Sequence, residues 1–243
     1  MKRIIAISIG LILCVTGVSF GYRADYPPFQ FKNGPPAHLN IKPLVDGEGD
    51  YKSKDGSVVV HLKESKPFEV EFSLKVGKTT LVSSDQDTEW FPSAVFQADL
   101  NSDGRNDFIV IYHSRGPGLG MHHDKVEIYL GKKKGCFEKI SYDTFDAGIE
   151  DFIGPDRQGR YKVIITGFYE GNKHNYFTYD IYEFRGDRLI NADAKVKGFP
   201  KFIRYTHKKN DQYTKCLTQH ERLLHTEKKN GSIHYALKNS PSQ

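Results

Sequence analysis

Methionine is nearly absent from this chain, with two residues in all, and there is a single tryptophan. Tyrosine and phenylalanine are abundant by contrast, with 14 and 16 residues, and glycine is frequent. Aromatic side chains pack well on the pleated surface of a β-sheet. The composition therefore favours strands over helices.

The chain lacks an apolar run long enough to cross a membrane as a helix, which takes about 20 residues. An almost wholly apolar stretch at 4–18 follows two positive residues and precedes the small residues Ser19 and Gly21. This order predicts a signal peptide over residues 1–21. We therefore expect an exported protein, periplasmic or secreted, with no stable membrane insertion after the signal peptide is removed.

Basic residues do not form a stripe, and no base-stacking motif accompanies them. Cleavage after Gly21 would remove Lys2 and Arg3 and no acidic residue, so the net charge would fall from +5 to +3. The short lysine runs at 132–134 and 228–229 lie next to glycine or asparagine and are typical of turns. We therefore expect no nucleic-acid partner.

Familiar catalytic motifs are also missing. Outside the predicted signal peptide the chain has no Gly-x-Ser-x-Gly nucleophile motif, and nowhere does it have the full Gly-x-x-x-x-Gly-Lys-Ser/Thr pattern of a phosphate loop. Outside the signal peptide it has two cysteines, Cys136 and Cys216, without a local context that lowers a thiol pKa. In an oxidising compartment they form either a disulfide that closes a long loop or two buried free thiols. No catalytic residue is assigned from the sequence.

What the chain does contain is an acidic loop at residues 99–107. Side-chain oxygens recur at its positions one, three, five and nine, glycine stands at six, and position seven would offer a backbone carbonyl. Calcium prefers six to eight oxygen ligands, which alternate residues of a tight loop can supply. The pattern predicts a Ca²⁺ site. Its predicted ligands are Asp99, Asn101, Asp103, Arg105 and Asp107.

The loop is not of the helix-loop-helix type, because position twelve is Val110 rather than glutamate and the residues after Asp107 are strand-like. It resembles the Asp-x-(Asp/Asn)-x-Asp-Gly-x-x-Asp loop of FG-GAP and VCBS repeats, a family that includes the integrin α-subunit propeller. The resemblance covers residues 96–111 closely and 90–190 more weakly. It implies a β-hairpin tip in a propeller blade that calcium stiffens. It also implies the same ligands, with Arg105 binding through its carbonyl.

A degenerate second copy of this unit follows the first. Aligning Gly104 with Gly159 also matches Arg105 with Arg160, together with the apolar runs behind them. The four side-chain ligand positions of the second loop hold Gly154, Asp156, Gln158 and Lys162. With a single carboxylate, this loop should not hold calcium. Since a propeller needs four or more blades, the two copies predict a smaller β domain and not a complete propeller.

The predicted fold class is mostly β, with antiparallel sheets, an internal duplication of propeller-blade-like units and one short C-terminal helix at 211–226. The chain divides into five segments. These are the signal peptide 1–21, an extended proline-rich arm 22–43, a small antiparallel β unit 44–89, the duplicated VCBS-like region 90–195, and a C-terminal strand and helix 196–243.

A glycine-rich stretch at 114–124 is the second candidate site. It ends in His122, His123 and Asp124, and His113 lies just before it. These residues could hold a transition metal, or the histidines could act as acid and base. The alternative is a connection with solvent-exposed histidines, which the absence of a familiar zinc spacing favours.

The resulting hypothesis is an exported calcium-binding β protein with a structural or binding role, rather than an enzyme. Its partner would be a protein or polysaccharide at the cell surface. One alternative is a secreted hydrolase that uses the His122–His123 loop. Another is a carbohydrate-binding module, because Tyr169, Tyr176, Tyr179 and Tyr182 could stack on sugars, although tyrosines on half-buried strands also serve packing.

Overall fold

The computed structural model describes residues 40–66, 69–84, 90–114, 123–171, 174–196, 199–205 and 214–215. These residues form antiparallel strands, and none of them belongs to a helix of seven or more residues. The mostly-β fold class is confirmed. The strands are β1 Lys42–Asp46, β2 Gly49–Lys52, β3 Val58–Lys66, β4 Glu69–Val76, β5 Thr79–Ser84, β6 Trp90–Ala98, β7 Asp107–Ser114, β8 His123–Gly131, β9 Phe137–Phe145, β10 Phe152–Ile153, β11 Lys162–Gly171, β12 His174–Arg185, β13 Arg188–Asn191, β14 Lys201–Tyr205 and β15 Thr214–Lys215.

The strands make three sheets. The N-terminal sheet has the order β2-β3-β4-β5, and the central sheet has the order β1-β6-β7-β8-β9. The C-terminal sheet has the order β10-β11-β12-β14-β15, with β13 paired to the other end of β12. Short 3₁₀ turns at Lys133–Gly135, Ile149–Asp151 and Asp193–Lys195 connect strands. Every pairing joins strands in antiparallel order, as the alternating sequence pattern predicts.

The central sheet is buried on both faces. Phe108 and Val110 of β7 pack against the N-terminal sheet, whereas Ile109 and Ile111 pack against the C-terminal sheet. Successive side chains of a strand point to opposite faces, so a strand between two layers needs apolar residues at every position. This explains the unbroken apolar run of β7.

The two sequence copies correspond to two four-stranded meanders. The first runs through β6, β7, β8 and β9, and the second through β10, β11, β12 and β13. In each meander, the loop after the first strand contains the glycine used for the alignment. This is Gly104 in the first meander and Gly159 in the second. The N-terminal sheet is a third meander of four strands, so the described residues hold three such units, fewer than a propeller requires.

Two segment predictions differ from the structure at their edges. Strand β1 begins at Lys42, inside the segment expected to be an arm, and pairs with β6 of the central sheet. Within the predicted helix 211–226, the two described residues, Thr214 and Lys215, form a strand paired with β14. The rest of that helix and the signal peptide lie outside the described residues.

Cys136 is exposed and has no disulfide partner among the described residues, so it does not fit the alternative of a buried free thiol. Cys216 lies outside the described residues, and its pairing with Cys136 stays a prediction. In the part of the chain that the structure describes, no helix has the length and apolar character needed to cross a membrane.

Candidate functional site

The acidic loop joins β6 to β7 as the tip of a hairpin, and Ala98 pairs with Asp107 at its base. Two residues of the loop have positive φ angles, Ser102 at 61° and Gly104 at 81°. Glycine reaches this left-handed region without the steric cost of a Cβ atom, which explains glycine at position six. The position at a hairpin tip agrees with what the resemblance of the loop implied.

Asp107 is fully buried and fastens the loop to the end of β8. Its Oδ2 accepts a hydrogen bond from the Leu100 N–H at 2.8 Å, and its Oδ1 accepts one from the Gly131 N–H, also at 2.8 Å. Both donors are backbone groups, which cost about 1–3 kcal/mol each when buried without a partner. Asp107 therefore has a structural role in the loop whether or not an ion is bound.

Asp99 and Asp103 accept hydrogen bonds from amides within the loop. Asp99 accepts the N–H groups of Asp103 at 3.0 Å and of Gly104 at 2.9 Å. Asp103 accepts the Arg105 N–H through Oδ1, at 3.0 Å. Each carboxylate oxygen has about two acceptor sites, so one amide hydrogen bond leaves capacity for a cation.

The side chain of Arg105 takes part in the loop, which sequence reasoning missed. Its Nη2 lies 2.6 Å from Asp103 Oδ2, and its Nε donates to the Gly131 carbonyl at 2.9 Å. The sequence assigned only the Arg105 carbonyl, as a ligand. The single arginine of the loop is the signal that pointed to an internal ion pair.

The side-chain amide of Asn101 has hydrogen-bond partners at its nitrogen but none among the described residues at its oxygen. Its Nδ2 donates to the Gly186 carbonyl at 3.2 Å and to Asp103 Oδ2 at 3.3 Å. Its Oδ1 is buried and has no hydrogen-bond partner among the described residues. A buried acceptor without a donor is costly, and a bound cation is one way to satisfy it.

Burial disfavours the charged form of the Asp107 carboxyl group. Burial raises the pKa of Asp107 to about 7, the N–H groups of Gly131 and Leu100 oppose this rise, and the charges of Asp103 and Asp99 add to it. A carboxyl group with such a pKa shows that negative charge is poorly compensated at this position. A cation in the loop would compensate it.

The donor set suits calcium, but the loop does not hold its carboxylates in a ready-made cluster. No three His, Cys, Asp or Glu side chains in the described ranges are gathered so that they could hold a metal ion. The predicted ligands nevertheless share one tight hairpin and offer only oxygen atoms, which calcium prefers over the nitrogen and sulfur ligands of zinc or copper. The residues fit the ion by chemistry and by the unmet acceptor of Asn101.

In the second loop, side-chain cations face the single carboxylate. Asp156 accepts the N–H groups of Gln158 at 2.8 Å and Arg160 at 3.0 Å. Its Oδ2 lies 3.5 Å from Arg160 Nη2 and 3.9 Å from Lys162 Nζ. Lys162 stands at the alignment position of Asp107, so an ammonium group replaces the buried carboxylate of the first loop.

The histidines of the second candidate site have separate partners. His113 Nδ1 lies 2.8 Å from Asp124 Oδ1, and the other oxygen of this buried carboxylate accepts the Ala147 N–H at 2.6 Å. The hydrogen bond to Asp124 raises the pKa of His113, against the opposing effect of burial, and the charges of Asp124 and Asp146 add to the rise.

His123 instead contacts aromatic rings. Its ring centroid lies 5.2 Å from that of Trp90 and 5.4 Å from that of Phe145. His122 lies outside the described residues. The structure thus brings His113 to a carboxylate and places His123 in an aromatic cluster, a difference that the sequence did not reveal.

The tyrosines proposed for sugar stacking are partly used in packing. Tyr179 is 2% exposed and belongs to the apolar cluster on the outer face of the C-terminal sheet. Tyr182 is half-buried and packs against the core between the central and C-terminal sheets. The side chains of Tyr169 and Tyr176 lie outside the described part of the structure.

Glu127 forms a buried polar network that sequence reasoning missed. Its carboxylate accepts the hydroxyl groups of Tyr112 at 3.1 Å and Tyr129 at 2.6 Å. The ammonium groups of Lys125 and Lys139 lie 2.7 Å and 2.8 Å from its Oε1. Alternation of Lys125, Glu127 and Tyr129 along one face of β8 was the available signal.

Comparisons of this chain with models of protein families, with curated proteins and with solved structures found no match.

Proposed function

We propose that this chain is an exported, periplasmic or secreted, calcium-binding β protein with a structural or binding role. The observation that carries the proposal is the buried Oδ1 of Asn101, an acceptor without a donor among the described residues, within a loop of three carboxylates. The FG-GAP and VCBS-like spacing of the loop supports it. The partner would be a protein or polysaccharide at the cell surface.

Charge balance favours a divalent ion. The loop holds three carboxylates, Asp99, Asp103 and Asp107, and one guanidinium, that of Arg105. A divalent cation together with Arg105 would neutralise the three negative charges. A monovalent ion would leave the carboxylates in partial repulsion, which is costly at short range in a partly buried site.

The ligands would be the four side chains Asp99, Asn101, Asp103 and Asp107 together with the Arg105 carbonyl. Because Asp107 and Arg105 also bind the backbone of Gly131, an ion held by them would stiffen the hairpin and the end of β8 together. Extracellular calcium modules bind at about 10⁻⁴–10⁻³ M, a range suited to an exported protein.

Thermal unfolding of the full chain tests this proposal. Calcium at about ten times its dissociation constant should stabilise the fold by about 1.4 kcal/mol and raise Tm by about 3–6 °C over a chelator-treated sample. Asp103→Ala should abolish the difference between the two samples. Gln158→Ala, at the same alignment position of the second loop, should leave it intact.

Two outcomes would contradict the proposal. Wild-type melting curves that coincide with and without calcium would exclude a stabilising ion. A calcium response that persists in Asp103→Ala at its wild-type size would place the ion elsewhere in the chain.

The second candidate function is hydrolysis, and one contact favours it. The buried carboxylate of Asp124 holds Nδ1 of His113, whose side chain is 41% exposed, so Nε2 is the atom that would take a proton from water. Hydrolysis of an activated aryl ester would then fall in His113→Ala. His61→Ala, which removes another carboxylate-paired histidine, should not change it. Equal rates in all three proteins would exclude this candidate.

A further inference from the structure

The second meander contacts the acidic loop at three points. The Tyr161 N–H donates to the Leu100 carbonyl at 2.9 Å. The Gly186 carbonyl, in the turn between β12 and β13, accepts a hydrogen bond from Asn101 Nδ2. Gly159 of the degenerate loop lies against Ser102. The loop that is predicted to hold calcium is therefore also part of the contact between the two meanders.

Gly159 approaches Ser102 so closely that a side chain at residue 159 would have to displace Ser102. A Cβ atom at Gly159 would lie 2.6 Å from Ser102 Oγ and 3.2 Å from Ser102 Cβ. The φ angle of Gly159 is 77°, which also disfavours a side chain. The degenerate loop has thus lost most of the ligand pattern and kept the glycine that allows the two loops to touch.

An ion pair adds to this contact. Lys132, in the connection after β8, pairs with Asp187, which follows Gly186 in the β12–β13 turn. Leu100 connects the interior of the loop with the same contact, because its N–H binds the Asp107 carboxylate and its carbonyl binds Tyr161. Leu100, within the acidic loop, and Lys132, which follows β8, therefore both bind the second meander.

Asn101 is both a predicted calcium ligand and a contact to the second meander. Its Oδ1 is a buried acceptor without a partner among the described residues, and its Nδ2 donates to the Gly186 carbonyl of the second meander. An ion bound to Oδ1 would fix the amide plane and so hold Nδ2 towards Gly186. An aspartate at this position could bind the ion but could not donate a hydrogen bond to a carbonyl.

We propose that calcium binding to the acidic loop and docking of the second meander onto the first are coupled through the side-chain amide of Asn101. This inference rests on the proposed calcium site and adds its regulation. The bound ion stabilises the contact between the acidic loop of the central sheet and the C-terminal sheet. Coupling of this kind is reciprocal, so the docked second meander strengthens calcium binding by the same factor by which calcium strengthens docking.

Hydrogen exchange of backbone amides in the full chain tests the coupling. Calcium should slow exchange of the Tyr161 amide and of β11 several-fold more than exchange of β3 and β4 in the N-terminal sheet. In Asn101→Asp, calorimetry with calcium should still detect binding, but the selective slowing at Tyr161 and β11 should disappear.

The reciprocal effect is measured with a glycine pair. Gly159→Ala should weaken calcium binding several-fold, although Gly159 supplies no ligand. Gly77→Ala is the matched control, because Gly77 also has a positive φ angle, 60°, but its Cβ would meet nothing within 4 Å. Its calcium affinity should equal that of the wild type.

The outcomes separate the two proposals. If wild-type protein binds no calcium in calorimetry, the proposed function fails and the coupling fails with it. If calcium binds but slows exchange equally in the N-terminal and C-terminal sheets, the coupling alone is overturned and the calcium site stands. Should Gly159→Ala not fold, the exchange pattern of Asn101→Asp still decides.

Discussion

At the scale of single residues, two buried carboxylates show how partners decide ionisation. Asp107 accepts only neutral amide N–H groups and lies near other acids, and its pKa is raised to about 7. Burial also raises the pKa of Glu127, but hydrogen bonds from Lys125, Lys139 and Tyr129 outweigh burial and lower the pKa to about 2. Asp107 and Glu127 are both buried carboxylic acids, so the charge of their hydrogen-bond partners accounts for the difference between their pKa values.

Glu127 should make stability depend on pH in the acid range. Its folded pKa, about 2, lies below the ordinary value of 4.5, so its contribution is complete above pH 4.5 and is lost as the pH falls towards 2. The shift corresponds to at most about 3 kcal/mol. Glu127→Gln should lower the free energy of unfolding at pH 7 and flatten its decline between pH 4.5 and 2, as measured by urea unfolding at each pH.

Glu138→Gln is the control for this prediction, because Glu138 on β9 is about half exposed and should change stability little. An acid unfolding profile of Glu127→Gln that overlays the wild-type profile would show that the network contributes nothing to the pH dependence.

At the scale of elements, the end of β8 determines how the acidic loop between β6 and β7 is held. Gly131 donates its N–H to Asp107 and accepts a hydrogen bond from Arg105 through its carbonyl. Both contacts require close approach of β8 to the hairpin. The hairpin is therefore anchored by a neighbouring strand as well as by its own pairing.

Gly131→Ala should disrupt this anchor. A Cβ atom there would lie 2.6 Å from the Asn106 carbonyl oxygen, a backbone atom that cannot rotate away. Overpacking of this kind costs about 1–3 kcal/mol. Gly49→Ala, at the start of β2, is the control, because its nearest neighbour would be 4.0 Å away. Urea unfolding in chelator measures both, and equal shifts in the two variants would contradict the close approach.

At the scale of the whole molecule, the central sheet separates two cores. Phe108 and Ile109 are neighbours in β7 and are both fully buried, one in the core with the N-terminal sheet and the other in the core with the C-terminal sheet. A sheet with one solvated face would leave one of them exposed. Burial of the central sheet on both faces therefore predicts that two adjacent residues of β7 are both intolerant of truncation.

Phe108→Ala and Ile109→Ala should both be severely destabilising, by about 3–5 and 2–5 kcal/mol respectively, because each opens a cavity. Ile190→Ala on β13, where the side chain is 36% exposed, should cost much less. Chemical denaturation of the three variants makes the comparison. If either neighbour in β7 were as tolerant as Ile190, the sheet could not be buried on both faces.

Local features of this fold could be predicted from the sequence. The run after Asp107 indicated a strand, the acidic spacing indicated a tight loop, and the resemblance of that loop implied a hairpin tip. These features depend on side-chain period, on glycine at positive φ and on oxygen spacing, which are properties of neighbouring residues. The alignment of Gly104 with Gly159 also predicted that the second meander is a degenerate copy of the first.

Features that join distant segments were decided by tertiary structure alone. Asn101 meets Gly186, Arg105 meets Gly131 and Asp124 holds His113 only because strand pairing brings them together. The pattern treats Asp99, Asp103 and Asp107 as equal ligands, whereas folding buries Asp107 fully and leaves the other two partly exposed. The reason is physical: period and spacing are local, whereas burial, hydrogen-bond partners and pKa depend on which parts of the chain the sheets place side by side.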